Sequence, residues 1–95
     1  MAQWAKARHI QVVDRDSCQY VVDQLVAGAD FELLARQYSC CQTARYGGSL
    51  GWFGEGQMGG AIDEVVFGGE VGLFYGPVKS SHGFHVIQVT ERKPR

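Results

Sequence analysis

The stretch "GGSLGWFGEGQM", residues 47–58, sets five glycines among large apolar side chains. Glycine lets the backbone adopt left-handed turns, whereas leucine, tryptophan, phenylalanine and methionine favour burial. A phosphate-binding loop needs no aromatic residues, and a plain core strand would not contain so many glycines. The stretch therefore predicts either a core around a tight turn or a site where a bent backbone gathers apolar side chains.

Length and composition indicate one globular domain, residues 1–95, with an ordinary share of apolar and charged residues. The formal net charge of −1 offers no basic surface for nucleic acid, and no segment reaches the roughly 20 apolar residues of a membrane span. The N-terminal stretch "MAQWAKARHIQVV" lacks the apolar run of a signal peptide. The three cysteines are an odd number with two adjacent, which argues against a disulfide framework. We expect a monomeric cytoplasmic protein that binds neither nucleic acid nor membrane.

Hydrophobic periodicity predicts an α+β fold. Residues 7–14, "ARHIQVVD", alternate as a strand does, and further strands are expected through Leu50 and Phe53, at 75–80 and at 83–92. The strands do not alternate regularly with helices, so we expect a small, mostly antiparallel sheet. The predicted order of elements is β-α-α-β-α-β-β.

Three helices are predicted between these strands. Asp16 is expected to cap the first, which ends at Gly28, and Asp30 is expected to cap the second. A short third helix is predicted at 60–67, with Ile62 and Val66 one turn apart. The spacing of apolar residues gives the first helix one buried face, made of Cys18, Val21, Val22, Leu25 and Val26.

Several kinds of chemistry fit the residue types only weakly. The three histidines and three cysteines show neither Cys-x-x-Cys nor His-x-x-x-His spacing, so no metal site is predicted. The glycine-rich stretch lacks the Lys-Ser/Thr ending of a phosphate loop. Cys41 with His9 or His85 would suit nucleophilic catalysis, but a small buried cysteine and ordinary core histidines explain the same residues.

Five motifs together resemble the parvulin family of peptidyl-prolyl cis/trans isomerases. They occur in the order and spacing of that family and span about residues 7–92: "ARHIQVV", "GADFELLARQYS", "GGSLGWFGEGQM", "DEVVF" and "GPVKSSHGFHVIQVTER". The resemblance implies a parvulin-like, four-stranded antiparallel sheet surrounded by helices, with the first and last strands at its centre. It implies no cofactor, and it implies proline-containing polypeptides as substrates.

The resemblance also implies which residues form the site. His9, Cys41 (rather than Cys40) and His85 match the family's polar residues, to which we assign hydrogen-bonding and electrostatic roles. Two histidines on neighbouring central strands are expected to hydrogen-bond each other. The residues expected to grip the prolyl ring are Leu50, Phe53, Met58 and Ile62.

Two departures from the family pattern shape the functional hypotheses. Gly59-Gly60-Ala61-Ile62 stands where the family usually has Pro-Phe at the last two positions, so the pocket lacks a flat ring. The loop after the first strand offers only Arg15 between two aspartates, which is a poor site for a phosphate. The sequence therefore predicts a non-covalent isomerase of X-Pro bonds in unfolded or flexible chains that is not phosphate-directed. The alternative is a weakly catalytic peptide-binding or chaperone module of the same fold.

Overall fold

A computed structural model of the protein describes residues 3–58 and 60–94. Its elements confirm the predicted order β-α-α-β-α-β-β and add a short 3-10 helix in the stretch expected to be a loop. In chain order they are β1 (Gln3–Val12), α1 (Arg15–Val26), α2 (Phe31–Tyr38), the 3-10 helix (Gln42–Tyr46), β2 (Ser49–Gly54), α3 (Gly60–Gly68), β3 (Phe74–Ser80) and β4 (Gly83–Pro94).

The four strands form one antiparallel sheet in the order β2-β1-β4-β3. The first and last strands of the chain are therefore central, as the resemblance implied. In the central pair, His9 stands opposite Ile87 and Gln11 stands opposite His85. Because side chains alternate between the faces of a strand, this register puts both histidines on the same face.

Each face of the sheet has its own hydrophobic cluster. Strand alternation in β1 sends Ala5 and Ala7 to one face and Ile10 and Val12 to the other. The first cluster joins the sheet to α1 and α2, and the second joins the sheet to α3. The buried members of the first are Ile10, Val12, Cys18, Val21, Leu25, Phe31, Leu34, Ala35 and Val86, and those of the second are Ala5, Ala7, Phe53, Val66, Ile87 and Val89.

The helix ends follow ordinary capping chemistry, with one correction. Asp14, not Asp16, caps α1, because its carboxylate accepts the Ser17 N–H at 2.9 Å and the Ser17 O–H at 2.8 Å. The predicted cap at Asp16 is wrong because the helix already begins at Arg15, which places Asp16 in the first turn. Asp30 caps α2 as predicted, and Gly28 follows the end of α1 with a left-handed φ of +104°.

The predicted apolar face of α1 is also corrected at its end. Cys18, Val21 and Leu25 are buried and Val22 packs beside them, but Val26 is 73% exposed. Val26 is the last residue of the helix, and its side chain lies outside the first cluster.

Gly48 occupies the tightest approach between β1 and the entry to β2. Its carbonyl accepts the His9 N–H at 2.9 Å, and its own N–H donates to the Thr43 carbonyl at 2.9 Å. Its φ is +86°, and a Cβ there would lie 2.3 Å from the His9 carbonyl oxygen. A side chain at this position would therefore displace the backbone that carries His9.

We expect Gly48→Ala to destabilise the fold more than Gly56→Ala. Both glycines have a φ of +86°, but a Cβ at Gly56 meets nothing within 4 Å. The left-handed backbone should cost each variant about 1–2 kcal/mol, and the clash should cost Gly48→Ala roughly 1–3 kcal/mol more. Urea denaturation measures both losses, and equal losses would contradict the close approach.

Candidate active site

The centre of the site is a direct hydrogen bond between two buried histidines. His9 on β1 and His85 on β4 are 3% and 1% exposed, and their Nδ1 atoms lie 3.1 Å apart. The two ring planes differ by only 13°. The expected hydrogen bond between the two predicted histidines is thus present.

This bond fixes how the two rings are protonated. A neutral imidazole has one N–H donor and one bare acceptor nitrogen, so two Nδ1 atoms can bond only when a single proton lies between them. One ring must therefore carry its proton on Nδ1 and the other, when neutral, on Nε2. The pair consists of two opposite tautomers.

Two hydroxyl groups extend the histidine pair at its ends. His9 Nε2 lies 3.1 Å from Thr43 Oγ1, and His85 Nε2 lies 2.5 Å from Ser80 Oγ. A hydroxyl can donate or accept, so the chain Thr43–His9–His85–Ser80 can be satisfied with its hydrogen bonds running in either direction. We call these four residues the histidine chain.

Sequence reasoning missed both hydroxyl residues. Thr43 lies in the short 3-10 helix, two positions after Cys41, and Ser80 ends β3 at the tight turn before His85. A hydroxyl five residues before a histidine in a tight hairpin was the available signal for Ser80.

The environment of the histidine chain keeps both rings neutral near physiological pH. Burial, followed by the nearby His85, lowers the pKa of His9 from 6.5 to about 4. Burial, followed by the nearby His82, also lowers the pKa of His85. The ring that accepts the shared proton must be neutral, and two neutral rings meet this requirement.

Cys41 precedes the 3-10 helix that carries Thr43, and no hydrogen bond within the described residues joins its side chain to the histidine chain. The Cys41 backbone N–H lies 3.4 Å from Ser39 Oγ. Among the described residues, the half-buried Cys41 thiol has no hydrogen-bond partner, whereas the exposed Cys40 sulfur lies 3.5 Å from Gln11 Nε2. The assignment of Cys41 to the site stays a prediction.

The four predicted apolar residues divide into two kinds. Phe53 is 2% exposed and packs edge-on against Phe67, and Leu50 packs on the same second hydrophobic cluster. Met58 is 40% exposed, and Ile62 is half-buried on the edge of that cluster. Met58 and Ile62 therefore reach a surface, whereas Phe53 forms the core beneath it.

Met58 and Ile62 line a cleft of about 360 Å³ whose opposite side is the β3–β4 hairpin. Ser80, the end of the histidine chain, also lines this cleft. The structure thus joins the apolar surface to the polar chain at one place. The residues lining the cleft are Met58, Gly60, Ala61, Ile62, Lys79, Ser80, Ser81 and His82.

Two side chains hold the glycine-rich turn that presents Met58. Gln57 Oε1 accepts the Gly54 N–H at 3.0 Å, and Asp63 Oδ2 accepts the Gly56 N–H at 2.8 Å. The glycine-rich stretch thus contributes to both the core and the site, because Phe53 packs in the core and Met58 lines the cleft. Gly59, the first residue of the departure from the family pattern, lies outside the described residues.

Two other kinds of site are absent from the same part of the chain. Residues 3–58 and 60–94 contain no group of three or more His, Cys, Asp or Glu side chains placed to hold a metal ion. No helix in those residues is both long enough and apolar enough to cross a membrane.

The sheet order and the paired histidines beside an apolar cleft define a small domain of the parvulin type. Residues 6–91 match the family model described as Rotamase, PPIC-type PPIASE domain. The chain therefore belongs to the PpiC-type rotamase family, as the sequence motifs indicated.

Relatives in bacteria and archaea agree with this family. The chain is 42% identical over 89 residues to the foldase protein PrsA of Halalkalibacterium halodurans, covering 93% of this chain and 27% of that protein. The crystal structure of PrsA from Bacillus subtilis superposes with a TM-score of 0.89 at 38% identity, over 97% of this chain and 36% of that one. Pin from the archaeon Cenarcheaum symbiosum gives a TM-score of 0.81 at 36% identity, over 92% and 91% of the two chains. The chain spans 27–33% of the length of the PrsA proteins that it matches in sequence.

We expect the buried histidines to make the fold less stable in mild acid. The folded pKa of His9, about 4, is below its ordinary value of 6.5, so the unfolded state binds the proton first as the pH falls. The contribution of neutral His9 to the free energy of unfolding is complete above about pH 6.5 and is lost toward pH 4. The loss between about pH 7 and pH 5 is on the order of 2 kcal/mol.

Urea denaturation of the parent and of His9→Gln at both pH values measures this loss. The variant should lack most of it, whereas His82→Gln, which replaces an exposed histidine, should keep it. An NMR titration of the His9 ring in the parent gives the same information without a variant. A midpoint near 6.5 would contradict the expectation.

Proposed function

We propose that this domain catalyses cis/trans isomerisation of X-Pro bonds in unfolded or flexible polypeptides, without a covalent intermediate. The observation that carries the proposal is the cleft in which Met58 and Ile62 face Ser80, the end of the histidine chain. A prolyl ring is a compact apolar group that suits the first side, and the carbonyl before it needs polar partners such as the second.

The reaction requires rotation and no bond cleavage. The planar amide resists rotation with a barrier of about 18–20 kcal/mol, because its C–N bond has partial double-bond character. Each tenfold acceleration requires about 1.4 kcal/mol of binding that favours the twisted state over the planar one. Met58 and Ile62 would hold the ring while the carbonyl on its amino side rotates.

The histidine chain suits this reaction through its hydrogen bonds. Both rings are neutral and buried, and each ring nitrogen has a partner, so neither ring is placed to attack a carbonyl. The chain can reverse direction, so Ser80 could either donate to or accept from a group in the cleft as the carbonyl rotates. We assign Cys41, with its free thiol, an electrostatic role in the same reaction.

The proposal includes no selectivity for a phosphate before proline. Asp14 is already bonded to Ser17 at the start of α1, and Arg15 stands between it and Asp16. A strong phosphate site needs several cationic donors that converge, and this loop supplies one.

A peptide-binding or chaperone role is the second candidate. It is favoured by Ile62, which packs on the second hydrophobic cluster and offers no flat ring to proline. The relatives from Halalkalibacterium halodurans and Bacillus subtilis carry the name foldase, which fits either role.

We further propose that the partners are proline-containing polypeptides and that the domain acts as a monomer without nucleic acid or membrane. Its cytoplasmic location stays a prediction.

NMR exchange spectroscopy on Ala-Pro, Ser-Pro and phosphoserine-Pro peptides tests the proposal, because it reports binding and isomerisation together. We expect faster exchange than the uncatalysed reaction, which takes roughly tens to hundreds of seconds. The phosphopeptide should bind less than about tenfold tighter than its serine counterpart. Binding without acceleration would refute catalysis and favour the second candidate.

Met58→Ala should reduce catalysis while leaving the fold intact. Met58 is 40% exposed, so its loss should cost the cleft more than the core. We expect kcat/KM to fall roughly threefold to tenfold, which corresponds to about 0.7–1.4 kcal/mol. Leu33→Ala on α2 removes a similarly exposed side chain, 56% exposed and remote from the cleft, and should leave the rate unchanged. A Met58→Ala variant that mainly unfolds, with full activity per folded molecule, would place Met58 in the core.

A further inference from the structure

α3 forms one wall of the cleft and needs support from the rest of the domain. Ala61 and Ile62, in its first turn, line the cleft. The helix has only 9 residues, and it begins and ends at a glycine, Gly60 and Gly68. Isolated helices shorter than about 12–15 residues are marginal in water, and glycine adds backbone freedom at both ends. The place of Ile62 in the cleft therefore depends on the contacts that hold α3.

Contacts at three points hold α3 against the rest of the domain. Near its beginning, Asp63 Oδ2 accepts the Gly56 N–H at 2.8 Å. Further along, Val66 is fully buried in the second hydrophobic cluster. At its end, Arg92 Nη1 donates to the Val66 carbonyl at 3.0 Å and to the Gly69 carbonyl at 2.7 Å. A side chain of the sheet thus fixes the end of this helix.

The guanidinium group of Arg92 suits this position for two reasons. The last carbonyls of a helix have no partner within the helix and form the negative end of its dipole, so a cationic donor stabilises them. Hydrogen bonds from a charged donor are also shorter and stronger than those from a neutral donor. The Arg92 side chain is half-buried, which limits the screening of these bonds by salt.

Arg92 lies on β4, the same strand that carries His85. Because it stands opposite Ala5, which belongs to the second hydrophobic cluster, Arg92 projects on the face that α3 covers. His85 bonds to Ser80, which lines the cleft from the β3–β4 hairpin. β4 is a central strand of the sheet, between β1 and β3. One central strand therefore contacts the elements on both sides of the cleft, the apolar side through Arg92 and the polar side through His85.

We propose that Arg92 is a positioning residue for peptide binding, which keeps α3 and its Ile62 side chain in place on the apolar side of the cleft. The inference rests on the proposed function, in which Met58 and Ile62 hold the prolyl ring. Arg92 does not line the cleft, so it acts through α3 and not on the peptide. The hydrogen bonds of the histidine chain involve no residue of α3, so Arg92 should affect binding of the ring and leave that chain unchanged.

Arg92→Met and Arg92→Lys test the role in peptide binding. The first variant removes the donors and keeps an unbranched apolar stem, and the second keeps a cation with N–H donors. NMR exchange spectroscopy gives the Kd of an Ala-Pro peptide and the isomerisation rate of the bound peptide. Arg92→Met should raise Kd roughly threefold to tenfold and change the bound rate less than about twofold, because the ring is held in both the planar and the twisted state. Arg92→Lys should stay within about twofold of the parent in Kd.

Methyl and ring signals separate this role from a general loss of stability. In isoleucine-labelled protein, the Ile62 methyl signal should shift or broaden in Arg92→Met, whereas the signal of Ile10 in the first hydrophobic cluster should stay unchanged. The ring nitrogens of His9 and His85 should also keep their signals.

Val21→Ala is the control for lower stability, because it weakens the first hydrophobic cluster on the opposite face of the sheet. In folded protein it should leave Kd and the Ile62 signal unchanged. A folded Arg92→Met with the parent's Kd and Ile62 signal would overturn the inference, and so would equal changes in Val21→Ala. If Arg92→Met does not fold, Arg92→Gln, which has a shorter and neutral donor, takes its place with the same expected direction.

Failure of the proposed function would look different. A parent domain that binds X-Pro peptides without accelerating their exchange would refute catalysis, and the Kd values would still test the role of Arg92. A parent domain that binds no X-Pro peptide would overturn both the proposed function and the inference.

Discussion

The hydrogen bond between the two buried histidines, which holds a single proton, is the constraint on which the rest of the site depends. It requires β1 and β4 to be neighbours with His9 and His85 on one face, which the register of the central strands provides. It requires hydroxyl partners at both outer nitrogens, which Thr43 and Ser80 supply. It also requires the accepting ring to be neutral, and burial lowers the pKa of both rings. A charged or unpartnered imidazole at this depth would cost the fold several kcal/mol, roughly the price of any unpaired buried polar group.

The remaining elements connect this polar centre to a surface. The 3-10 helix brings Thr43 to His9, and the close approach at Gly48 fixes the backbone between them. Ser80, at the tight β3–β4 hairpin, bonds to the buried His85 ring and also lines the cleft. The glycine-rich turn places Phe53 in the core and Met58 outside it. The apolar side of the cleft packs on the second hydrophobic cluster through Ile62. A prolyl peptide in the cleft would contact the apolar side chains of Met58 and Ile62 through its ring. Its carbonyl would contact the Ser80 hydroxyl, which can donate or accept a hydrogen bond.

Much of this arrangement could be predicted from the sequence. The parts that could not be predicted were missed for physical reasons. Periodicity and turn residues gave the element order, and the motifs gave the central strands and both histidines. Asp14 was missed as a cap because two aspartates with similar spacing compete for one position. Thr43 and Ser80 were missed because hydroxyl residues are common and their role depends on distances across the chain. Phe53 was expected in the cleft, but apolar periodicity alone does not distinguish a pocket wall from the core beneath it.

The tautomers of the two histidines provide the most direct test of this account. Nitrogen-15 NMR on histidine-labelled protein at about pH 7 reports the protonation of each ring nitrogen. The account predicts that His9 and His85 are both neutral, with one ring protonated on Nδ1 and the other on Nε2, or with averaged signals if the chain reverses rapidly. Two rings fixed in the same tautomer would contradict the shared proton, and an imidazolium at either position would contradict the neutrality that burial of the rings predicts.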